Sequence, residues 1–424
     1  MIKESALDKI LYQIKKLIPK PVFEFFQPAY HRTLARVGAL RHGFPSNRLK
    51  VIGVTGTKGK STTVFLITKI LEGAGKKVAA IGSLGFQIGD RRWPNTLKMT
   101  MPGRFRLQKF LAEALRAQCE YVVLEVTSEG IKQMRHLGIR FDTAVFVNIH
   151  REHLENHGSF ENYLAAKQEL FKACGRNHVL NIEDPYAAEF AKIPAEKKIT
   201  FGLTNGDVKC DSYETRSDHS EFMVLGTKIN LRLGGREFNI ANALAAIAVG
   251  SVYGVSTADA ARALEAINSI PGRMQFIQKN PFAVVVDYAH TPDSLRAVYA
   301  ALKPAAPGRL IAVLGAAGGG RDKWKRPEFG KIADELADEI ILTDEDPYEE
   351  NPESIVEQIK QGIGRTERLQ VIMDRKEAIG AAVALATAGD VVVITGKGSE
   401  VSMAVAGNRK IPWSDAEIVK AFLQ

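Results

Sequence analysis

A chain of 424 residues, 45% hydrophobic and 25% charged, has the composition of a globular protein with room for about two or three domains, which excludes a disordered or fibrous chain. Cys119, Cys174 and Cys210 lack the spacing of a disulfide or zinc framework, the longest apolar runs have strand length, and charges are mixed through residues 1–17; this points to a cytoplasmic protein without signal peptide or membrane span. The net charge of +9 suits polyanionic ligands such as nucleotides, whereas the lack of basic stretches interleaved with aromatics speaks against nucleic acid.

Residues 1–48 read as a short helical leader. Leu7, Ile10, Leu11, Ile14, Leu17 and Ile18 form an apolar stripe with Lys3, Lys9, Lys15 and Lys16 mostly off it, and Pro19 and Pro21 end the pattern. Such a helix packs on a neighbouring domain or, being basic and amphipathic, makes a peripheral contact with anionic lipid. The segment is too short for an independent nucleotide-binding domain.

An apolar strand-like run, Leu49 to Val54, leads into Thr55-Gly56-Thr57-Lys58-Gly59-Lys60-Ser61-Thr62-Thr63, and a helical pattern carrying Phe65, Leu66, Lys69, Ile70 and Leu71 comes next. Strand, glycine-rich loop with Lys-Ser, then helix is the build of a phosphate cradle. Loop amides and the helix N-terminus face the anion, Lys60 reaches the β- and γ-phosphates, and the Ser61 hydroxyl sits on Mg²⁺. The general G-x-x-x-x-G-K-[ST] spelling is missed, because Val54 stands where its first glycine belongs and Gly53 lies one place earlier; the T-G-T-x-G-K-S variant is matched.

Residues 49–271 alternate strand and helix, with Tyr121–Val126 and Thr143–Asn148 as buried parallel strands. Glu125 closes the first of these, on the edge where open α/β sheets place ligands. At the same end of the next strand, Asn148-Ile149-His150-Arg151-Glu152-His153-Leu154 offers the His153 imidazole; with the Glu125 carboxylate it could serve a cation bound with nucleotide phosphates. Lys167 lies on a helical pattern from Glu161. Residues 199–238 carry short β-prone runs broken by Gly and Asp. A second alternating block, 272–424, has candidate strands Ala283–Asp287, Leu310–Leu314, Glu339–Leu342 and Val391–Thr395. The expected fold is α/β: a P-loop central domain with a mostly parallel sheet, then a C-terminal Rossmann-like α/β domain.

Several segments together resemble the Mur ligase family, and within it the MurE type. They are Thr55–Thr63, Leu124–Gly130, Asn148–Gly158, Asn162–Phe171, Phe238–Asn242, Pro271–Met274, Val286–Asp293, Gly320–Pro327 and Gly396–Glu400, in family order over nearly everything after residue 48. The resemblance implies an ATP-dependent ligase that adds the third amino acid, a diamino acid, to a muramoyl-L-alanyl-D-glutamate acceptor through an acyl phosphate. It implies that Lys167 is carbamylated and joins Glu125 and His153 on a second Mg²⁺ while Ser61 holds the first. Asn242 then lies near the adenine, Arg273, Asp287 and His290 around the phosphates and ribose, and Arg321, Gly396 and Glu400 at the backbone ammonium and carboxylate of the incoming amino acid.

Three departures qualify it. The leader stands where the family has a domain gripping the uridine nucleotide, which leaves open an acceptor without UDP, such as a lipid-linked muropeptide. The family's D-N-P-R segment reads Glu345-Asp346-Pro347-Tyr348; Tyr348 cannot make the arginine's bidentate contact with diaminopimelate, and Asp346 could attract a side-chain ammonium, which leans the reading toward lysine or ornithine. Glu129, Glu152 and Ser399 replace a His, an Asp and a His. A folylpolyglutamate-synthase-like or cyanophycin-type ligase, and a degenerate ligase that only binds nucleotide, stay open beside the leading expectation.

Overall fold

The structure, a computed structural model, describes residues 20–97, 99–150, 157–216, 218–234, 237–303, 307–320, 323–407 and 409–424. The apolar stripe between Leu7 and Ile18 lies outside them. Residues Lys20–Arg41 form a helix that the sequence pattern does not single out. Its inner face carries the fully buried Ala35 and Ala39 and seats them where Gly138 leaves room: a Cβ there would come within 2.9 Å of the Ala39 methyl. Gln108 fixes the same corner by donating to the Gly138 carbonyl at 3.1 Å, and the Arg140 N–H donates to Ser46 Oγ at 3.1 Å.

The first sheet contains β1 (Lys50–Thr55), β2 (Val78–Gly82), β3 (Gly85–Ile88), β4 (Arg91–Trp93), β5 (Tyr121–Glu125), β6 (Phe141–Phe146), β7 (Asn177–Asn181) and β8 (Lys197–Phe201). Their order is β4-β3-β2-β5-β1-β6-β7-β8, with every pairing parallel except the antiparallel β2–β3 and β3–β4 pairs at one edge. The central strands read Val/Ile-rich on both faces because both are covered. Helix Lys60–Gly73 and helix Glu237–Val252 pack on one face, and helices Arg104–Arg116 and Phe160–Lys172 belong to the core on the other. Helix Glu237–Val252 is apolar almost all round, with Ala243 to Val249 inaccessible or nearly so, as a helix enclosed by its neighbours must be. Each enclosed Leu or Ile in such a layer stabilises it by roughly 1.5–3 kcal/mol. The β-prone runs of residues 199–238 supply the end of β8 and a small antiparallel sheet of β9 (Ser212–Thr215), β10 (Ser220–Val224) and β11 (Thr227–Leu231), ordered β11-β10-β9, whose Phe222, Val224, Ile229 and Leu231 enter the same core.

Beyond Pro271 a second sheet forms from β12 (Gln275–Gln278), β13 (Ala283–Asp287), β14 (Leu310–Leu314), β15 (Glu339–Leu342), β16 (Leu369–Val371) and β17 (Val391–Thr395), ordered β12-β13-β17-β14-β15-β16 with only β12 antiparallel. Four of these spans coincide with the sequence expectation, since short Val/Ile runs between turn residues leave little choice of register. Cores form on both faces, and the last helix, Asp415–Phe422, docks through a fully buried ion pair. In it Arg375 donates to both Asp415 oxygens at 2.9 and 2.8 Å and to the Thr395 carbonyl at 2.7 Å. A hairpin of β18 (Ser402–Val405) and β19 (Arg409–Pro412) lies between β17 and that helix.

Candidate active site

The C-terminal ends of β1, β5 and β6 converge on the glycine-rich loop. Gly59 has φ +76°, a conformation that needs glycine, and it caps helix Lys60–Gly73. A Cβ at Gly59 would overlap the Asn242 side-chain oxygen, and that oxygen also accepts from Thr63 Oγ1 at 3.2 Å. The loop is held from below by Asn148, whose Oδ1 accepts from the N–H groups of Thr57 (3.1 Å) and Lys58 (2.9 Å) and whose amide donates to the Lys58 carbonyl (3.2 Å). Lys60 folds over the cradle and donates to the carbonyls of Gly56 (3.0 Å) and Thr57 (2.8 Å). The Thr55 hydroxyl is buried and finds no hydrogen-bond partner among the described residues. Thr62 is buried in the first helical turn.

Ser61 and Glu125 stand together. The Ser61 hydroxyl lies 3.1 and 3.0 Å from the two Glu125 carboxylate oxygens, and the Ser83 N–H donates to one of them at 2.8 Å. On the other side of the loop the almost inaccessible Lys167 donates to the Gly56 carbonyl at 2.6 Å and lies 4.5 Å from the centre of the Tyr163 ring, one helical turn earlier. Tyr163 in turn meets Thr57, hydroxyl to hydroxyl, at 3.0 Å. His153 lies outside the described residues. The neighbouring His157 is buried against Ser128 Oγ at 3.1 Å, and burial first, then Lys132 and Lys167, lowers its pKa. A hydroxyl and a carboxylate side by side at a helix N-terminus are hard oxygen donors suited to Mg²⁺ and its phosphate ligands.

The second sheet reaches this site through Arg273. Its guanidinium sits 4.3 Å from the centre of the Tyr288 ring and approaches Ser61 Oγ at 3.4 Å, while Lys58 pairs with the exposed Asp293 at 3.2 Å. His290 is exposed and, through Nδ1, 2.8 Å from the Tyr288 carbonyl. Asp287 serves its own turn: its oxygens accept from Met274 N–H (2.6 Å) and Ala289 N–H (2.7 Å), and burial pushes its carboxyl upward against the pull of Arg273.

The residues expected at the incoming amino acid divide. Arg321 lies outside the described residues. Gly396 has φ +107°, and any Cβ there would run into the Glu345 carboxylate. Asp346 does not stand open to an incoming ammonium, contrary to the sequence expectation. Its carboxylate accepts from the fully buried Lys397 at 2.8 Å and from the Ala404 N–H at 2.6 Å. Lys397 also donates to Glu400 at 2.6 Å and to the Ser402 carbonyl at 2.8 Å, so the chain supplies its own cation to both acids. The argument for lysine or ornithine from Asp346 therefore falls. Tyr348, half-buried with φ +54°, lies against Gly319. Burial pushes the Glu345 carboxyl up to about 7, with Arg375 and Lys397 pulling the other way.

Sequence reasoning assigns no role to Asn148, Tyr163, Ser83 or Lys397. Asn148 and Tyr163 carry a usable signal, since one ends the apolar run of β6, which flanks β1 on the side away from Glu125's strand, and the other precedes Lys167 by four residues.

The model of the Mur ligase middle domain matches residues 54–250, and that of the Mur ligase glutamate ligase domain matches residues 272–398. A UDP-N-acetylmuramoyl-L-alanyl-D-glutamate–2,6-diaminopimelate ligase of Clostridium acetobutylicum is 37% identical over 93% of this chain and 82% of its own length. The chain belongs to the Mur ligase family. A second enzyme of that name, from Thermosynechococcus vestitus, is 38% identical over 92% of the chain and 80% of its own length. A solved structure bearing the same name aligns with a TM-score of 0.65 at 31% identity, covering 92% of this chain and 82% of that one. The Thermotoga maritima MurF ligase in complex with ADP aligns at 0.64 with 20% identity over 92% of this chain and 83% of its own, a likeness of fold. Membership makes this Mur ligase an ATP-dependent, ADP-forming peptide ligase that uses Mg²⁺.

Proposed function

We propose that this Mur ligase joins the amine of 2,6-diaminopimelate to the D-glutamyl carboxylate of a muramoyl-L-alanyl-D-glutamate acceptor, in the cytoplasm. The observation that carries the reading is the grouping of Lys60, Ser61, Glu125 and Lys167 around one glycine-rich loop, in a chain whose relatives at 37–38% identity are named for that reaction. The pairing of Asp346 with Lys397 removes the structural reason for preferring lysine or ornithine.

A carboxylate is a poor acyl donor, so its oxygen first attacks the γ-phosphorus of ATP, releasing ADP and leaving an acyl phosphate. The amine then displaces phosphate through a tetrahedral intermediate. Lys60 and the loop N–H groups offset charge on the phosphoryl group. Asn242 borders the adenine, Arg273 brings a second cation from the other sheet, and Arg321, Gly396 and Glu400 border the amino acid. We assign Ser61 to one Mg²⁺ and Glu125, His153 and Lys167 to a second, and these ions would neutralise charge on the phosphates. We assign Lys167 a carbamate, which turns a buried ammonium into an anionic ligand. Lys167→Ala should then lose activity and regain part of it with added short carboxylates; loss without any rescue removes the carbamate.

ADP release measured over a panel of acceptors and amino acids tests the whole reading. Turnover that requires both a muramoyl dipeptide and diaminopimelate supports it. Turnover with lysine alone corrects the amino acid, and turnover without any muramoyl acceptor overturns it.

A further inference from the structure

Helix Lys20–Arg41 presents two apolar faces. The inner one, with Ala35 and Ala39, is locked onto the first sheet's helical layer. On the opposite side Tyr30, Val37 and Leu40 recur at helical spacing and are 40%, 46% and 69% exposed, and Phe44 just beyond the helix extends the line at 41%. At 100° per residue Val37 falls about 160° from Ala35, and Leu40 and Tyr30 about 140°, so the outer stripe is a face in its own right. Exposed arginines border it, Arg32 and Arg36 along one rim and Arg41 along the other. From Phe25 to Arg48 the chain has four arginines and no acidic residue. Residues 1–48 hold nine basic side chains against three acidic ones, which is +6 of the whole chain's +9.

An apolar stripe between basic rims, interrupted by the exposed Thr33, on an element whose other face is already packed, has the make-up of a helix that lies in a lipid interface. No helix among the described residues is long and apolar enough to cross a membrane, so the contact would be a surface one. We infer that the outer face of helix Lys20–Arg41 docks on an anionic bilayer, with Tyr30, Val37, Leu40 and Phe44 entering the headgroup boundary and Arg32, Arg36 and Arg41 pairing with lipid phosphates. Charge complementarity selects this occupant. The chain's own residues 1–19 carry four basic against two acidic side chains, and a second copy of the helix brings the same arginines; each would meet the rims with like charge. The inference is independent of the amino acid that the ligase adds. It gives the enzyme a fixed orientation at a membrane through a surface contact alone.

Co-sedimentation of the full chain with vesicles tests this. We expect binding to phosphatidylglycerol/phosphatidylcholine vesicles at low salt, none to pure phosphatidylcholine, and weakening as ionic strength rises. Val37→Asp with Leu40→Asp should lower the partition by about tenfold or more, with ADP release from soluble substrates unchanged as the control for folding. Arg32→Glu with Arg36→Glu should act likewise while leaving the apolar stripe intact. Absence of binding to anionic vesicles overturns the inference. So does equal binding by the aspartate variant, which would place the contact elsewhere in the basic leader. A wild-type dimer in sedimentation velocity that the aspartate variant loses would assign the stripe to a second copy instead.

Discussion

Two lysines, each directly after a glycine at the end of a parallel strand, meet opposite fates. Lys60 lies beyond β1 at the head of a helix and stays half-buried over loop carbonyls, with its ammonium held where an anion can reach it. Lys397 lies beyond β17, is wholly enclosed, and is neutralised by Asp346 and Glu400. Glycine-lysine at a strand end is therefore not by itself a phosphate signal. The surroundings decide: a helix N-terminus adds a positive dipole beside Lys60, whereas at Lys397 a second glycine lets the chain turn back and bring Glu400 to the ammonium, which Asp346 meets from the loop after β15.

That contrast can be broken by experiment. Lys397→Ala should have the largest effect, a loss of about 3–5 kcal/mol in urea unfolding, because it strands two acids around a buried gap. Adding Asp346→Asn should restore part of it. If stability holds while turnover vanishes, Lys397 is a working group and the distinction fails. Lys60→Ala should do the reverse, lowering ADP release about 10²–10³-fold with an unfolding midpoint close to that of the parent.

Glu345 sharpens the picture of the second cluster. Its carboxyl, ordinarily near 4.5, is pushed to about 7 by burial. The folded chain thus holds a proton that the unfolded chain releases, and stability falls as pH rises through that interval. Glu345→Gln should flatten this fall and leave the protein more stable at pH 8, on the order of 1–3 kcal/mol; a pH series of unfolding midpoints reads it. The smallest expected effect belongs to Tyr348→Arg, which should raise the preference for diaminopimelate over lysine by about tenfold or less. An unchanged ratio would remove that position from substrate choice.

The first cluster is legible in the sequence because its chemistry is local. Thr55 to Thr63 are contiguous, and Glu125 sits in the strand beside β1, which places it by topology alone. The second is legible only in part. Gly396 and Glu400 can be picked out by resemblance, but the partner that disposes of Asp346 is 51 residues away in the chain, and no periodicity links them. The helix Lys20–Arg41 escapes notice for another reason: apolar residues on two opposite faces blur the single stripe that marks an amphipathic helix. The central strands of both sheets can be read almost to the residue, since enclosure on both faces demands unbroken Val/Ile runs.

The contact between Gly59 and Asn242 has a genetic corollary. Any larger residue at 59 evicts the amide, and any larger one at 242 presses on a backbone that has nowhere to go, so drift at one site is vetoed by the other. Two stretches far apart in the gene are thereby tied into a single unit of inheritance, and recombination that exchanges one without the other should yield inactive chimeras.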